Sequence, residues 1–174
     1  YGGSCFPKDV NALISFFEER DIKEPLIKMT KKVNEAQLDY FFEKIINEYK
    51  DISNKKFAIW GLTFKPNSDD VRESVAIKLI TKLSPKVGNL KIYDPLISEH
   101  PNEIKELANI EFAKDKYSAL DDCNGLIICT EWKEFWEPEL EEFSRMLEKI
   151  VFDGRNILNK DKLNSVDIKY HGIG

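Results

Sequence analysis

Apolar residues change their period near residue 52. Upstream they recur in steps of three and four: Leu13, Phe16 and Phe17, then Leu38, Phe42, Ile45 and Tyr49. That spacing predicts helix over residues 8–50, broken near Asp21 to Pro25. Val33, Tyr40, Phe41 and Ile46 widen the apolar face, so something must cover it. Packing within the chain is one cover and a partner subunit is the other. The partner is the expectation here, because the rest of the sequence reads as a domain with its own core.

Asp51 to Lys55 is a polar junction. Beyond it, short apolar runs alternate with helical stretches. Phe57-Ala58-Ile59-Trp60 and Leu126-Ile127-Ile128-Cys129 are continuous, as in strands buried on both faces. Leu90 to Tyr93, Ile110 to Ala113, Ile150 to Phe152 and Val166 to Tyr170 complete six predicted strands. Ser74 to Leu83, Asn102 to Leu107 and Pro138 to Leu147 read as helices, with Ser74 a cap. Alternation of this kind implies an α/β domain: a doubly wound parallel sheet with helices on both sides. The expected division is residues 1–52, helical, and residues 53–174, the sheet.

Hydrophobic residues make up 42% and charged residues 33% of the 174, the balance of a soluble globular protein. The net charge of −5, with lysines and acids interspersed, gives no footprint for nucleic acid. No apolar run has the length of a membrane span, and no signal peptide is recognisable. The three cysteines, Cys5, Cys123 and Cys129, form no framework, which suggests a reducing, cytoplasmic setting. His100 and His171 stand far apart without a C-x-x-C pair, so no metal site is expected.

The chemistry concentrates at the start, in Tyr1-Gly2-Gly3-Ser4-Cys5-Phe6-Pro7-Lys8-Asp9. Glycines lead into a cysteine at an expected helix N-terminus, where Pro7 suits the first turn. Backbone N–H groups there favour a thiolate. Asp9 shares the face of Cys5 one turn on. A thiol, a carboxylate and Lys8 between them can make a covalent catalytic site. Two further blocks stand out: Gly61-Leu62-Thr63-Phe64-Lys65-Pro66 with Asp69-Asp70-Val71-Arg72-Glu73-Ser74, and Phe152-Asp153-Gly154-Arg155-Asn156. Phe64 and Lys65 follow the first strand and Arg155 follows the fifth. Ligands gather beyond those strand ends in such sheets. Gly154 is expected to admit backbone close to a ligand. Read in isolation, Lys65 is a solvated loop lysine, Arg155 a surface ion pair and Arg72 a helix-start charge. A free cysteine is most often a small buried apolar residue, and Cys123 and Cys129 are read so. Trp132, Phe135 and Trp136 are read as domain packing.

In order and spacing these three blocks resemble the UDP-glucose/GDP-mannose dehydrogenase family. The resemblance implies a Rossmann-like sheet that binds a UDP-sugar, preceded by a catalytic-cysteine loop and central helices that pair subunits into a homodimer. It implies Cys5 and Asp9 as catalytic. It implies Tyr1, Gly2, Gly3, Phe64, Lys65 and Arg155 as substrate-binding, and Cys5, Lys8 and Arg72 as facing the cofactor, NAD. The reaction implied is oxidation of UDP-glucose to UDP-glucuronate through a thiohemiacetal and thioester on cysteine. GDP-mannose or another nucleotide sugar is the alternative substrate. The chain opens on Tyr1 and contains no G-x-G-x-x-G, so an N-terminal NAD-binding half is expected upstream. The chain alone is accordingly expected to be inactive. The rival of another class is a non-catalytic, dimerising nucleotide-sugar-binding module, which needs no accessible thiol. A cysteine hydrolase lacks a nearby histidine base.

Overall fold

A computed structural model describes residues 1–3 and 5–173. Two helices come first, α1 (Phe6–Glu18) and α2 (Pro25–Ile46). Pro25 opens α2 in the first turn, where its missing N–H costs nothing, and Glu24 caps it by accepting from Lys28 N at 3.3 Å. The rest is a six-stranded sheet: β1 (Lys56–Trp60), β2 (Asn89–Tyr93), β3 (Ile110–Phe112), β4 (Gly125–Ile128), β5 (Ile150–Asp153) and β6 (Lys169–Gly172). Every pairing is parallel and the order is β3-β2-β1-β4-β5-β6, the doubly wound arrangement. The order reverses between β1 and β4.

Alternation along each strand splits the core into two layers. Phe57, Ile59, Leu90, Ile92, Ile127 and Phe152 face one side. There they meet α3 (Val75–Leu83), whose Ser74 cap accepts from Ala76 N at 3.1 Å. Ala58, Trp60, Leu126, Ile128 and Val151 face the other. Burial on both faces is why these strands read as unbroken apolar runs.

The second layer departs from expectation. Residues 138–147 do not form an α-helix; Leu140–Arg145 is a 3-10 helix. Leu140, Phe143 and Met146 recur every third residue, which stacks them on one edge at three residues per turn. Phe143 and Met146 are buried there against Trp60 and its neighbours. A short helix, α4 (Lys160–Asn164), escaped the sequence reading; Asn159 caps it by accepting from Asp161 N and Lys162 N. The sixth strand begins at Lys169, not Val166, which lies exposed.

The long helix is divided. Phe41, Phe42 and Ile45 are buried in the first core layer, with Leu38, Ile46 and Tyr49 packed against it. The stripe expected to meet a partner therefore packs within the chain. Toward the helix start, Leu26, Met29, Val33 and Tyr40 remain exposed at near-heptad spacing. The core of the sheet unit thus reaches back across residue 52 into α2.

Candidate functional site

The site begins with a turn held by hydrogen bonds to most of its backbone groups. Gly61 follows β1 at φ +90°, and a Cβ there would lie 2.4 Å from Thr130 Cβ and 2.8 Å from Thr130 N. Only glycine lets β1 and the end of β4 approach so closely. Gly61 N donates to Tyr93 O at 2.8 Å, and Leu62 N donates to Asp94 Oδ2 at 2.8 Å. Ser74 Oγ donates to Leu62 O at 2.6 Å. Thr63 N donates to Asp94 Oδ2 at 3.3 Å, and Thr130 Oγ1 donates to Thr63 O at 2.7 Å. Phe64 N closes the turn on Asp70 O at 2.9 Å. Phe64 and Lys65 are thereby presented at the carboxyl edge of the sheet.

The N-terminal loop packs onto this turn. Gly3 is buried at φ +80°, and a Cβ on it would lie 2.5 Å from Phe64 Cε1. A Cβ on Gly2 would lie 3.2 Å from Phe64 Cε2. Gly3 is thus required by the Phe64 ring, and Gly2 lies at the ring's edge. On its other side the loop is held by Asn34 of α2: Tyr1 N donates to Asn34 Oδ1 at 2.7 Å and Asn34 Nδ2 donates to Tyr1 O at 2.9 Å. The sequence reading passed over Asn34, which a polar position on the α2 face lining the loop could have flagged.

Cys5 sits at the N-terminal end of α1 and is exposed. Asp9 N donates to Cys5 O at 3.0 Å, and the Asp9 carboxylate lies 3.1 Å from Lys8 Nζ. Lys8 is held above its ordinary range, first by Asp9 and in smaller part by the Cys5 sulfur. Arg72 also feels that sulfur, although Asp70 is its main partner. Its guanidinium grips Asp70 through Nε at 2.9 Å and Nη2 at 2.8 Å, a two-bond fork that holds the Asp70 carboxyl down at about 2. Lys65 adds a smaller pull on the same carboxyl. The cysteine therefore lies within electrostatic reach of Lys8, on its own helix, and of Arg72, from the loop leading into α3.

Arg155 stands across β4 from this group. Adjacent strands lie about 4.8 Å apart, so the ends of β1 and β5 are separated by about 10 Å. Arg155 Nε donates to Cys129 O at 2.7 Å and lies 3.2 Å from Glu131 Oε2. The base of its loop is Asp153, fully buried, which accepts from Arg155 N, Ile157 N, Leu158 N and Tyr170 Oη at 2.8–3.2 Å. A Cβ on Gly154 would lie 2.9 Å from Ile128 O and 3.3 Å from Phe41, so the fold itself already calls for glycine here. That demand comes from packing against β4 and α2. Trp132 and Phe135 are buried in the second core layer, with Phe135 stacked on Trp60 at 5.1 Å, while Trp136 is half exposed. Burial pushes the Cys123 and Cys129 thiols up to about 12, which leaves them inert.

A cleft of about 380 Å³ opens between the N-terminal loop, α2 and α3, lined by Tyr1, Gly2, Asn34 and Leu38. Its lysines are already paired: Lys31 with Glu35, Lys78 with Glu73 and Lys82 with Asp39. Phe64, Lys65 and Arg155 lie outside it.

Residues 58–160 match the sequence profile of the UDP binding domain of the UDP-glucose/GDP-mannose dehydrogenase family. The chain belongs to this family. Residues 1–36 match the family's central domain. An uncharacterized protein of Methanocaldococcus jannaschii is 41% identical over 98% of this chain and 20% of its own length. A UDP-glucose 6-dehydrogenase of Rhizobium meliloti is 36% identical over the whole chain and 40% of its own length. The UDP-glucose 6-dehydrogenase TuaD of Bacillus subtilis is 31% identical over the whole chain and 38% of its own length. The chain thus spans less than half of each of these relatives. Among solved structures, a UDP-glucose dehydrogenase from Pyrobaculum islandicum superposes with a TM-score of 0.80 at 28% identity, covering 99% of this chain and 37% of that one. The chain is thus similar to nucleotide-sugar dehydrogenases both in the cysteine loop and in the sheet.

This sheet does not itself fit a dinucleotide. The space where backbone would approach a pyrophosphate at Gly61 is filled by Thr130, and the carboxylate after β2 is turned inward. The exposed cations within electrostatic reach of Cys5 are Lys8 and Arg72.

Proposed function

We propose that the full-length protein carrying this chain is an NAD-dependent UDP-glucose 6-dehydrogenase. In this reading residues 53–174 bind the UDP-sugar, and residues 1–52 supply the nucleophile and a dimerising helix. The observation that carries it is the contact of Phe64 with Gly2 and Gly3. It joins the substrate loop of β1 to the loop that presents Cys5. Phe64 offers an aromatic face, Lys65 a compact charge for a diphosphate, and Arg155 a forked donor across the strand ends. Lys8 and Arg72 face a dinucleotide held by an upstream half. The exposed stripe Leu26, Met29, Val33 and Tyr40 supports pairing of two copies through α2.

NAD, when bound, supplies the hydride acceptor. The residues of this chain hold the sugar and handle its C6 carbon. Once C6 is an aldehyde, the Cys5 sulfur adds to it and the carbonyl oxygen takes a proton, giving a thiohemiacetal. Oxidation at that carbon leaves a thioester. Water oriented by Asp9 adds to the thioester carbonyl, the carbon–sulfur bond breaks, and the thiol returns as the carboxylate leaves. The Rhizobium meliloti and Bacillus subtilis relatives, both UDP-glucose 6-dehydrogenases, support UDP-glucose over GDP-mannose.

The test is product stoichiometry in the full-length protein. Two NADH per UDP-glucuronate are expected, and no UDP-glucuronate from Cys5→Ala. One NADH per sugar, or UDP-glucuronate from Cys5→Ala at the wild-type rate, would overturn the reading.

A further inference from the structure

We propose that Asp94 is a positioning residue for the nucleotide-sugar site, acting through the turn that carries Phe64 and Lys65. This rests on the reading of that site given above. Asp94 immediately follows β2, where dinucleotide-binding sheets place an acid that reads a ribose. Here the carboxylate is 5% exposed and serves the protein itself. Oδ2 accepts from Leu62 N at 2.8 Å, Thr63 N at 3.3 Å, Thr63 Oγ1 at 3.3 Å and Trp132 Nε1 at 3.2 Å. Oδ1 accepts from Leu96 N at 3.0 Å. One side chain thus ties the ends of β1, β2 and β4 together at the point where the strand order reverses.

The residue type follows from the partners. All five groups around the carboxylate are donors, and only an acceptor on both oxygens can satisfy them. An amide would set its own N–H groups against Leu96 N in one orientation and against the Leu62, Thr63 and Trp132 donors in the other. A buried donor left unpaired is expensive, so the turn would move rather than tolerate it. The turn cannot move without shifting Phe64. Its ring fills the space beside Gly2 and Gly3, so the displacement would reach the cysteine loop too. The position at which dinucleotide-binding sheets read a ribose is here the anchor of the substrate loop.

The test compares UDP-glucose binding to the full-length protein for wild type, Asp94→Asn, Lys65→Ala and the double variant, below the melting temperature of each. Asp94→Asn is expected to weaken binding about tenfold, and to add little once Lys65 is gone, because both act through one turn. Amide exchange at Leu62 and Thr63 should accelerate in the same variant. Trp132→Phe removes one donor while keeping an aromatic ring. It should weaken binding by a smaller factor, which keeps the idea falsifiable if Asp94→Asn does not fold. Unchanged binding in Asp94→Asn, or full additivity with Lys65→Ala, overturns the role of Asp94 alone. Wild-type protein that binds no UDP-glucose overturns the site reading, and this role with it.

Discussion

Gly61→Ala puts the close approach of the end of β1 to Thr130, just past β4, to the test. Gly61 lies at φ +90°, and an added Cβ would meet Thr130 Cβ at 2.4 Å and Thr130 N at 2.8 Å. Two costs arise. Holding an L-residue in left-handed backbone costs about 1–2 kcal/mol. Forcing a methyl into filled space costs about 1–3 kcal/mol, and here the obstacle includes backbone, which yields less than a side chain. Together they amount to about 2–5 kcal/mol, a fall of about 5–15 °C in melting temperature for a chain of this size. Near-ultraviolet circular dichroism, which sees Trp60 in the adjacent core, follows the transition. Gly2→Ala is the control, since its Cβ would meet only the edge of Phe64 at 3.2 Å. It should cost less than about 1 kcal/mol. A Gly61→Ala protein melting within about 2 °C of wild type would refute the close packing of β1 on β4.

Ile45→Ala, at a fully buried position of α2, should cost about 2–4 kcal/mol in urea unfolding, showing that the helix end belongs to the sheet core. A thiol reagent at pH 8 should modify Cys5 in the native chain and all three cysteines in denaturant, because burial raises the other two to about 12. His171 is held below its ordinary value, chiefly by burial; Glu48 opposes this, while Lys169 and Lys44 reinforce it. A group depressed on folding contributes stability above its unfolded value, near 6.5, and loses it as pH falls further. Wild type should therefore lose melting temperature relative to His171→Gln between about pH 6.5 and pH 5. Equal slopes for the two would contradict it.

The strands were legible because parallel strands buried on both faces leave continuous apolar runs, as in Phe57 to Trp60 and Leu126 to Cys129. The helix start after Cys5 was legible from Pro7 in its first turn, and the cap at Ser74 because capping chemistry is local. What the sequence hid depends on distant packing. The period of three at Leu140, Phe143 and Met146 suits a 3-10 helix only because Trp60 and its neighbours wait opposite. The α2 stripe showed an apolar face, and nothing local says that Phe41 and Ile45 meet this chain's own core. For Gly154 the sequence shows no sign of the packing against Phe41 that also calls for glycine there. Asp94 reads as an ordinary Asp-Pro turn, because four of its five donors come from residues about thirty or more positions away.

The proposal that this sheet binds a nucleotide sugar with Arg155 and delivers it to Cys5 meets its sharpest trial in calorimetry. UDP-glucose is titrated into the full-length protein, with GDP-mannose and the Arg155→Ala variant alongside. Selective UDP-glucose binding, weakened about tenfold or more in Arg155→Ala, is the expected result, equivalent to about 1.4 kcal/mol lost with the fork. Equal affinity for both sugars' nucleotides, or unchanged binding in Arg155→Ala, would contradict the assignment of recognition to this face of the sheet.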